Sequence, residues 1–259
     1  MHYKIEIYPR VLYFKKPVTT SRGTYPERKS WFIVLTSNDN PDHWGVGECA
    51  PLPNLSCDDV PEYEKILSNA CHNFVNTGKI DIDGLRDYPS IMFGLETALL
   101  HYEANSFNIW DTPFSRGETG IPINGLIWMD SYEKMLRQVA EKIESGFRCI
   151  KLKIGAIDFD KELKILRIIR EQFSSDEIEL RVDANGAFSP DEAMVKLNRL
   201  AELDLHSIEQ PIRAGQWENM ALLAASSPVP IALDEELIGC NTPEKKQELL
   251  SSINPQYII

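Results

Sequence analysis

The sequence predicts an α/β protein with a TIM-type β/α barrel, preceded by a small α+β capping domain. Short apolar runs alternate with helical stretches through the second part of the chain, as they do in a barrel of parallel strands. Four charged residues follow such runs at steps of 30, 26 and 25 residues, about one strand plus one helix plus two loops. They are Lys153, Asp183, Glu209 and Asp234.

Residues 1–110 differ in pattern and are predicted to form the capping domain. Three segments have the alternation or the apolar content of strands, at 3–14, 29–37 and 43–50. Two stretches with apolar residues at helical spacing follow, at about 63–74 and 90–105. Strands followed by helices are typical of a small α+β domain.

Residues 111–259 are predicted to form the barrel, with its first strand at 121–127. The next helix should begin at Asp130, with Glu133 completing a capping box, and end at Gly146. Later helices have N-cap signals at Ser189 and Thr242, each followed by proline. Five further strands are expected, at 149–154 and 178–182, in the runs that end at Glu209 and Asp234, and from Tyr257.

An eight-stranded barrel needs two more β/α units than the six strands predicted here, and an open sheet would expose unpaired edges. We therefore expect a barrel truncated after strand six. A complete open α/β sheet is the alternative interpretation.

Composition and charge exclude several classes of function. The chain of 259 residues has a formal net charge of −12, which argues against nucleic acid and anionic membranes as partners. No apolar run approaches the roughly 18 residues of a membrane span. There is no signal-peptide core, and five cysteines without a C-x-x-C pair indicate reduced thiols, so we expect a cytoplasmic protein.

Asp183, Glu209 and Asp234 are candidate metal ligands. A lone acid after a strand is usually a solvated loop residue, but three at near-equal steps should meet at one barrel mouth. Oxygen ligands without paired histidines favour Mg²⁺ over Zn²⁺, with Mn²⁺ as an alternative.

Lys151 and Lys153 flank Leu152, so both side chains should lie on the same side of one strand. A barrel strand has no solvated face, so the pair indicates a charged mouth. Two ammonium groups packed together beside a cation should have lowered pKa values, which favours a neutral lysine base for proton transfer.

Two further motifs have less specific meanings. Asn185 could bind substrate or orient a ligand, but it could equally be a turn asparagine before Gly186. The segment 45–50 matches G-x-G-x-x-A, yet Pro51 and Pro53 follow where a dinucleotide-binding motif requires a helix.

The K-x-K element at 151–153, D-x-N at 183–185, E-Q-P at 209–211 and D-E at 234–235 together resemble the enolase superfamily, in the branch of the muconate-lactonizing enzymes. The resemblance implies that Asp183, Glu209 and Asp234 bind Mg²⁺. It also implies that Lys153 is the base and then the acid, with Lys151 holding its pKa down. The superfamily has another lysine at the end of the sixth strand, which here is expected just past Ile259.

Within that branch, the segments 20–23, 29–32 and 45–53 resemble the o-succinylbenzoate synthase family. This implies a small carboxylate substrate and a dehydration that yields o-succinylbenzoate in menaquinone synthesis. The loop 20–25 is expected to close over the mouth, with Ser21, Arg22 and Asn185 as candidate substrate-binding residues. The alternatives are an N-acylamino acid racemase or dipeptide epimerase of the same superfamily, or a non-catalytic barrel fragment.

Overall fold

The computed structural model describes residues 2–20 and 23–259, without the side chains of Thr19 and Thr20. Two of the candidate substrate-binding residues, Ser21 and Arg22, therefore lie outside the described residues. The chain divides into two compact units whose main boundary falls between Ile121 and Pro122. Each unit has its own buried apolar cluster, so each has a core of its own.

The first unit contains a three-stranded sheet in the order β1-β2-β3. β2 pairs antiparallel with β3, so that Trp31 lies opposite Cys49 and Thr36 lies opposite Trp44. Two helices follow the sheet, and buried side chains of both contribute to the core of this unit. The elements are β1 (Tyr3–Thr20), β2 (Gly23–Ser37), β3 (Trp44–Cys49), α1 (Tyr63–Thr77) and α2 (Pro89–Ala104).

The first two strands are longer than the sequence predicts. β1 continues to Thr20 rather than residue 14, and β2 begins at Gly23 rather than residue 29. Most described side chains in these extensions are exposed, including those of Lys15 and Lys16. Because neither face of the two strands is buried in these extensions, their sequence lacks the apolar alternation that would predict a strand.

The G-x-G-x-x-A segment has a packing role in β3. A Cβ atom at Gly45 would overlap the backbone oxygen of Ala98, and one at Gly47 would overlap the backbone oxygen of Gly94. Both oxygens belong to α2. These glycines therefore allow α2 to pack directly against the backbone of β3.

The second unit is a six-stranded sheet in the order β4-β5-β6-β7-β8-β9, and every neighbouring pair is parallel. Its strands are β4 (Gly125–Ile127), β5 (Cys149–Lys153), β6 (Glu179–Asp183), β7 (Ser207–Glu209), β8 (Ile231–Leu233) and β9 (Tyr257–Ile258). The helices between them are α3 (Tyr132–Glu144), α4 (Phe159–Gln172), α5 (Pro190–Ala201), α6 (Trp217–Ser226) and α7 (Pro243–Ile253). Strictly sequential order is that of a β/α barrel, so the predicted fold class is confirmed.

Several element boundaries differ from the prediction. β4 begins at Gly125, because Pro122 lacks a backbone donor and only Gly125, Leu126 and Ile127 pair with β5. The N-cap of α3 is Ser131 rather than Asp130, whose side chain instead accepts from the Ser131 backbone. At α7 the predicted cap is present, since Thr242 Oγ1 accepts from the backbone N–H of Lys245 at 3.2 Å.

Across the described parts of the chain, no helix is both long enough and apolar enough to cross a membrane.

Candidate active site

The predicted site residues lie at the carboxyl ends of neighbouring parallel strands. Lys153 at the end of β5 is the register partner of Asp183 on β6, and Asp183 is the partner of Glu209 on β7. Asp234 directly follows β8, whose Ala232 pairs with Glu209. Parallel strands in register bring their last residues to one edge of the sheet, so these four residues share one mouth.

The two lysines pair with the carboxylates. Lys153 Nζ lies 2.8 Å from Asp183 Oδ2, and Lys151 Nζ lies 2.5 Å from Glu209 Oε2 and 3.4 Å from Asp183 Oδ2. Asp183 is 1% exposed and Glu209 is 4% exposed, so these are ion pairs largely removed from water. Burial strengthens such contacts and makes an unpaired partner costly.

The carboxylates differ in the direction of their pKa shifts. Burial raises the pKa of Glu209 to about 7, and the neighbouring charge of Asp183 adds to the increase. Burial and the Asp183 charge also raise the pKa of Asp234. For Asp183 the effect of burial is outweighed by Lys153 and Lys151, and its pKa is lowered. Asp183 is therefore the carboxylate that the two lysines hold ionised.

The protein groups around Lys151 raise its pKa, whereas the predicted decrease included a neighbouring cation. Burial lowers it, but the hydrogen bond to Glu209 and the charges of Asp183 and Glu209 outweigh burial and raise it above its ordinary value. The prediction considered repulsion between ammonium groups and a cation. In the structure, the nearest charges to Lys151 are carboxylates, which stabilise the ammonium form.

Asn185 is a turn residue, one of the two alternatives left open by the sequence, and its role in substrate binding stays a prediction. Its φ of 44° is the left-handed conformation of a turn residue, and its backbone N–H donates to Asp183 Oδ1 at 3.0 Å. Its side chain also lies in the site. Oδ1 accepts from Lys153 Nζ at 2.9 Å, and Nδ2 donates to Glu235 Oε1 at 3.0 Å.

Three polar residues that hold the loops at this mouth were not assigned from the sequence. Gln210 is fully buried, and its Oε1 accepts from the backbone N–H of Asp234 at 3.2 Å. Glu236 accepts from the backbone N–H of Gly215 and from Trp217 Nε1. Glu235 binds Asn185. The E-Q-P and D-E motifs contain Gln210 and Glu235, but Gln210 lies 24 residues from Asp234 and Glu235 lies 50 residues from Asn185.

The donor set fits a hard divalent cation. Three carboxylates, Asp183, Glu209 and Asp234, outnumber the two ammonium groups beside them, and carboxylate oxygens are the ligands that such a cation prefers. Within residues 2–20 and 23–259, however, no three Asp, Glu, His or Cys side chains already surround a common metal position. Lys151 and Lys153 contact carboxylate oxygens that a cation would bind.

Together, the fold and the site define a class: β/α-barrel proteins with buried lysine–carboxylate pairs at the strand ends. Comparison with known proteins agrees with this class. The family model described as "Enolase C-terminal domain-like" matches residues 134–249, and "MenC, N-terminal domain" matches residues 2–102. The o-succinylbenzoate synthase of Desulfotalea psychrophila is 41% identical over 283 aligned residues, covering 96% of this chain and 75% of that protein. The chain therefore belongs to the enolase superfamily, in its o-succinylbenzoate synthase family.

Solved structures extend the comparison to the fold. The crystal structure of MenC from Desulfotalea psychrophila matches with a TM-score of 0.81 and 36% identity, covering 100% of this chain and 78% of that chain. An o-succinylbenzoate synthase from Thermosynechococcus elongatus, solved with magnesium in its active site, matches with a TM-score of 0.75. It is 22% identical and covers 100% of this chain and 75% of its own, so it supports the fold alone.

Proposed function

We propose that this chain carries the active site of an o-succinylbenzoate synthase-like carbon–oxygen lyase. Its substrate is a cyclohexadiene carboxylate with a succinyl chain and a β-hydroxyl group, and its product is the aromatic o-succinylbenzoate of menaquinone synthesis. The 41% identity across 96% of the chain is the observation that supports this most strongly. The lysine–carboxylate cluster supplies the chemistry that such a dehydration needs.

Lys153 is the proposed proton-transfer residue. As a neutral amine it takes the proton α to the substrate carboxylate, so the C–H bond breaks and Nζ becomes an ammonium. The C–O bond to the β-hydroxyl then breaks, and the same ammonium returns the proton to the leaving oxygen, which departs as water. One residue can serve both steps because a syn elimination places both groups on one face of the ring.

Lys151 is the proposed electrostatic partner. It contacts Glu209 and Asp183, so it fixes the positions of these carboxylates around the reacting face. Asp183 and Glu209 presently raise its pKa. The pKa of Lys151 should fall when a positive charge from a group other than the lysines neutralises these carboxylates.

Asp183, Glu209 and Asp234 are the proposed ligands of a Mg²⁺ ion, with Mn²⁺ as an alternative. When bound there, the cation would supply Lewis-acid stabilisation of the negative charge that develops on the substrate carboxylate. The three acids converge from β6, β7 and the turn after β8, so one ion could bring together three successive strand ends. The chain spans about three quarters of the o-succinylbenzoate synthase that it resembles.

A substrate panel tests the assignment in the full-length protein. We expect Mg²⁺-dependent formation of o-succinylbenzoate from the hydroxycyclohexadiene substrate. Ultraviolet absorbance monitors this reaction. N-acylamino acids and alanyl-glutamate, assayed by polarimetry, should be poorer substrates as judged by kcat/KM. Turnover of an N-acylamino acid or a dipeptide without dehydration would assign the site to a racemase or an epimerase instead. Absence of all three activities would favour a non-catalytic role.

A further inference from the structure

The side chain of Glu235 is connected to Lys153 through a single amide. Glu235 Oε1 accepts from Asn185 Nδ2 at 3.0 Å, and Asn185 Oδ1 accepts from Lys153 Nζ at 2.9 Å. The three residues come from three different strand ends: β5, the loop after β6, and the turn after β8. Lys153 is thus held from two sides, by Asp183 at 2.8 Å and by Asn185.

These partners determine which end of the Asn185 amide faces the lysine. A carboxylate can only accept hydrogen bonds, so Glu235 selects the NH₂ end of the amide. The carbonyl oxygen is then left to face Lys153 Nζ. The orientation follows from the hydrogen-bonding chemistry of the two neighbours.

That orientation matters for a lysine base. A neutral amine has two N–H donors and one lone pair. Asp183 Oδ2 and Asn185 Oδ1 are both acceptors, so they engage the two N–H groups and leave the lone pair directed at neither. If the amide were flipped, its NH₂ group would donate to the lone pair and remove the basicity that proton abstraction requires.

The turn that contains Glu235 does not depend on this side chain for its backbone contacts. Gln210 Oε1 accepts from the N–H groups of Asp234 and Glu236, and the side chain of Glu236 binds Gly215 and Trp217. Glu235 Oε2, by contrast, is buried and has no hydrogen-bond partner in the described structure. A buried acceptor left unsatisfied is unfavourable, so a specific role for the other oxygen is the simplest physical explanation.

We propose that Glu235 is a positioning residue that acts through Asn185 to keep the lone pair of Lys153 available for the substrate proton. The proposal rests on the function assigned above to Lys153. It adds a residue whose link to Lys153 passes through the amide of Asn185.

Kinetics of the full-length protein give the first test. Glu235→Leu removes the acceptor and should lower kcat by roughly 10- to 100-fold, with KM changed by less than about threefold, because the base is misoriented while the substrate still binds. Glu235→Gln keeps an acceptor for Asn185 but can also donate, so it permits both orientations of the amide and should recover only part of that loss. Glu244→Gln, which removes an exposed carboxylate from α7, is the control, and its kcat should stay within about threefold of wild type.

A double-mutant cycle separates positioning from general destabilisation. If Glu235 acts through the amide, Asn185→Ala combined with Glu235→Leu should be no slower than Asn185→Ala alone. Independent structural defects would instead give losses that multiply. Multiplicative losses, or a Glu235→Leu enzyme with wild-type kcat, would overturn the proposal.

A measurement without turnover distinguishes this proposal from the function on which it rests. Individual lysines are acylated with a small activated ester and identified by mass spectrometry. In Glu235→Leu, the acylation rate of Lys153 should change severalfold, and that of Lys151 should stay within about twofold of wild type. If Glu235→Leu does not fold, Glu235→Ala is labelled instead. Unchanged labelling at Lys153 would reject the Glu235 link. A wild-type enzyme with no dehydration activity would reject the proposed function, and labelling would still decide the link.

Discussion

Lys153 and Asp183 are register partners on adjacent parallel strands, and the side-chain nitrogen of Lys153 lies 2.8 Å from Asp183 Oδ2. The proposed base and a proposed metal ligand are therefore connected by the hydrogen-bonding register of the sheet itself. A site built on strand ends has less positional freedom than one built on loops, which suits proton transfer at carbon.

Replacing Lys151 with alanine should lower kcat by roughly 10²- to 10³-fold but leave measurable turnover, because Lys151 organises the carboxylates and does not carry the proton. The measurement is steady-state dehydration kinetics of the full-length protein. Lys246→Ala, an exposed lysine on α7, is the control and should be unchanged. Complete loss of dehydration activity in Lys151→Ala, together with substantial activity in Lys153→Ala, would reverse the roles assigned to the two lysines.

Replacing Glu209 with glutamine should weaken Mg²⁺ binding at least roughly tenfold, because an anionic oxygen ligand becomes a neutral amide. Isothermal titration calorimetry measures the affinity directly. Glu192→Gln removes a carboxylate from the surface of α5 and should bind Mg²⁺ as wild type does. Equal affinities for the two variants would exclude Glu209 from the cation site.

Stability in the presence of a chelator should depend on the protonation of Glu209. Folding raises the pKa of this carboxyl from its ordinary 4.5 to about 7, so the folded state favours the protonated form. Its contribution to stability is therefore fully present below about pH 4.5 and is lost as the pH rises through about 7.

Urea unfolding at pH 5.5 and pH 8.5, with EDTA present, measures this contribution. Wild type should lose more stability than Glu209→Gln between these values, since glutamine does not titrate. Saturating Mg²⁺ should reduce the difference, because a bound cation stabilises the ionised carboxylate. Identical pH dependence in the two proteins would show that Glu209 titrates normally.

Gly47→Ala should destabilise the first unit by roughly 1–3 kcal/mol or more, because the added Cβ would overlap the backbone oxygen of Gly94 on α2. Gly120→Ala is a matched control, since no atom lies within 4 Å of its added Cβ. Thermal unfolding should show a lower Tm for the first variant only. Equal Tm values would contradict the close packing of α2 on β3.

The strand ends of the second unit could be predicted because two signals coincide there. An apolar run shows where a barrel strand lies, and a charged residue after it shows where the strand ends. The extensions of β1 and β2 could not be predicted, because most of their described residues are exposed and no buried face imposes an apolar alternation on the sequence. α6 was not predicted as a separate helix, although Trp217–Ser226 forms one.

The contacts within the site depend on tertiary structure. The sequence predicts that Lys151, Lys153, Asp183, Glu209 and Asp234 share one mouth. The direction of the Lys151 pKa shift depends on which charges lie nearest, and the decrease expected beside a cation stays a prediction. The link from Glu235 to Asn185 joins residues 50 positions apart and has no local signal. The roles of Ser21 and Arg22 in substrate binding stay predictions.

The central claim is that Lys153 moves the substrate proton, and the kcat of dehydration in the full-length Lys153→Ala variant at saturating Mg²⁺ tests it most directly. General acid–base groups contribute roughly 10²- to 10⁴-fold, and this lysine would act in both steps. We therefore expect kcat to fall by at least roughly 10³-fold, with Mg²⁺ affinity close to that of wild type. A Lys153→Ala enzyme that forms o-succinylbenzoate at a near-normal kcat would contradict the account.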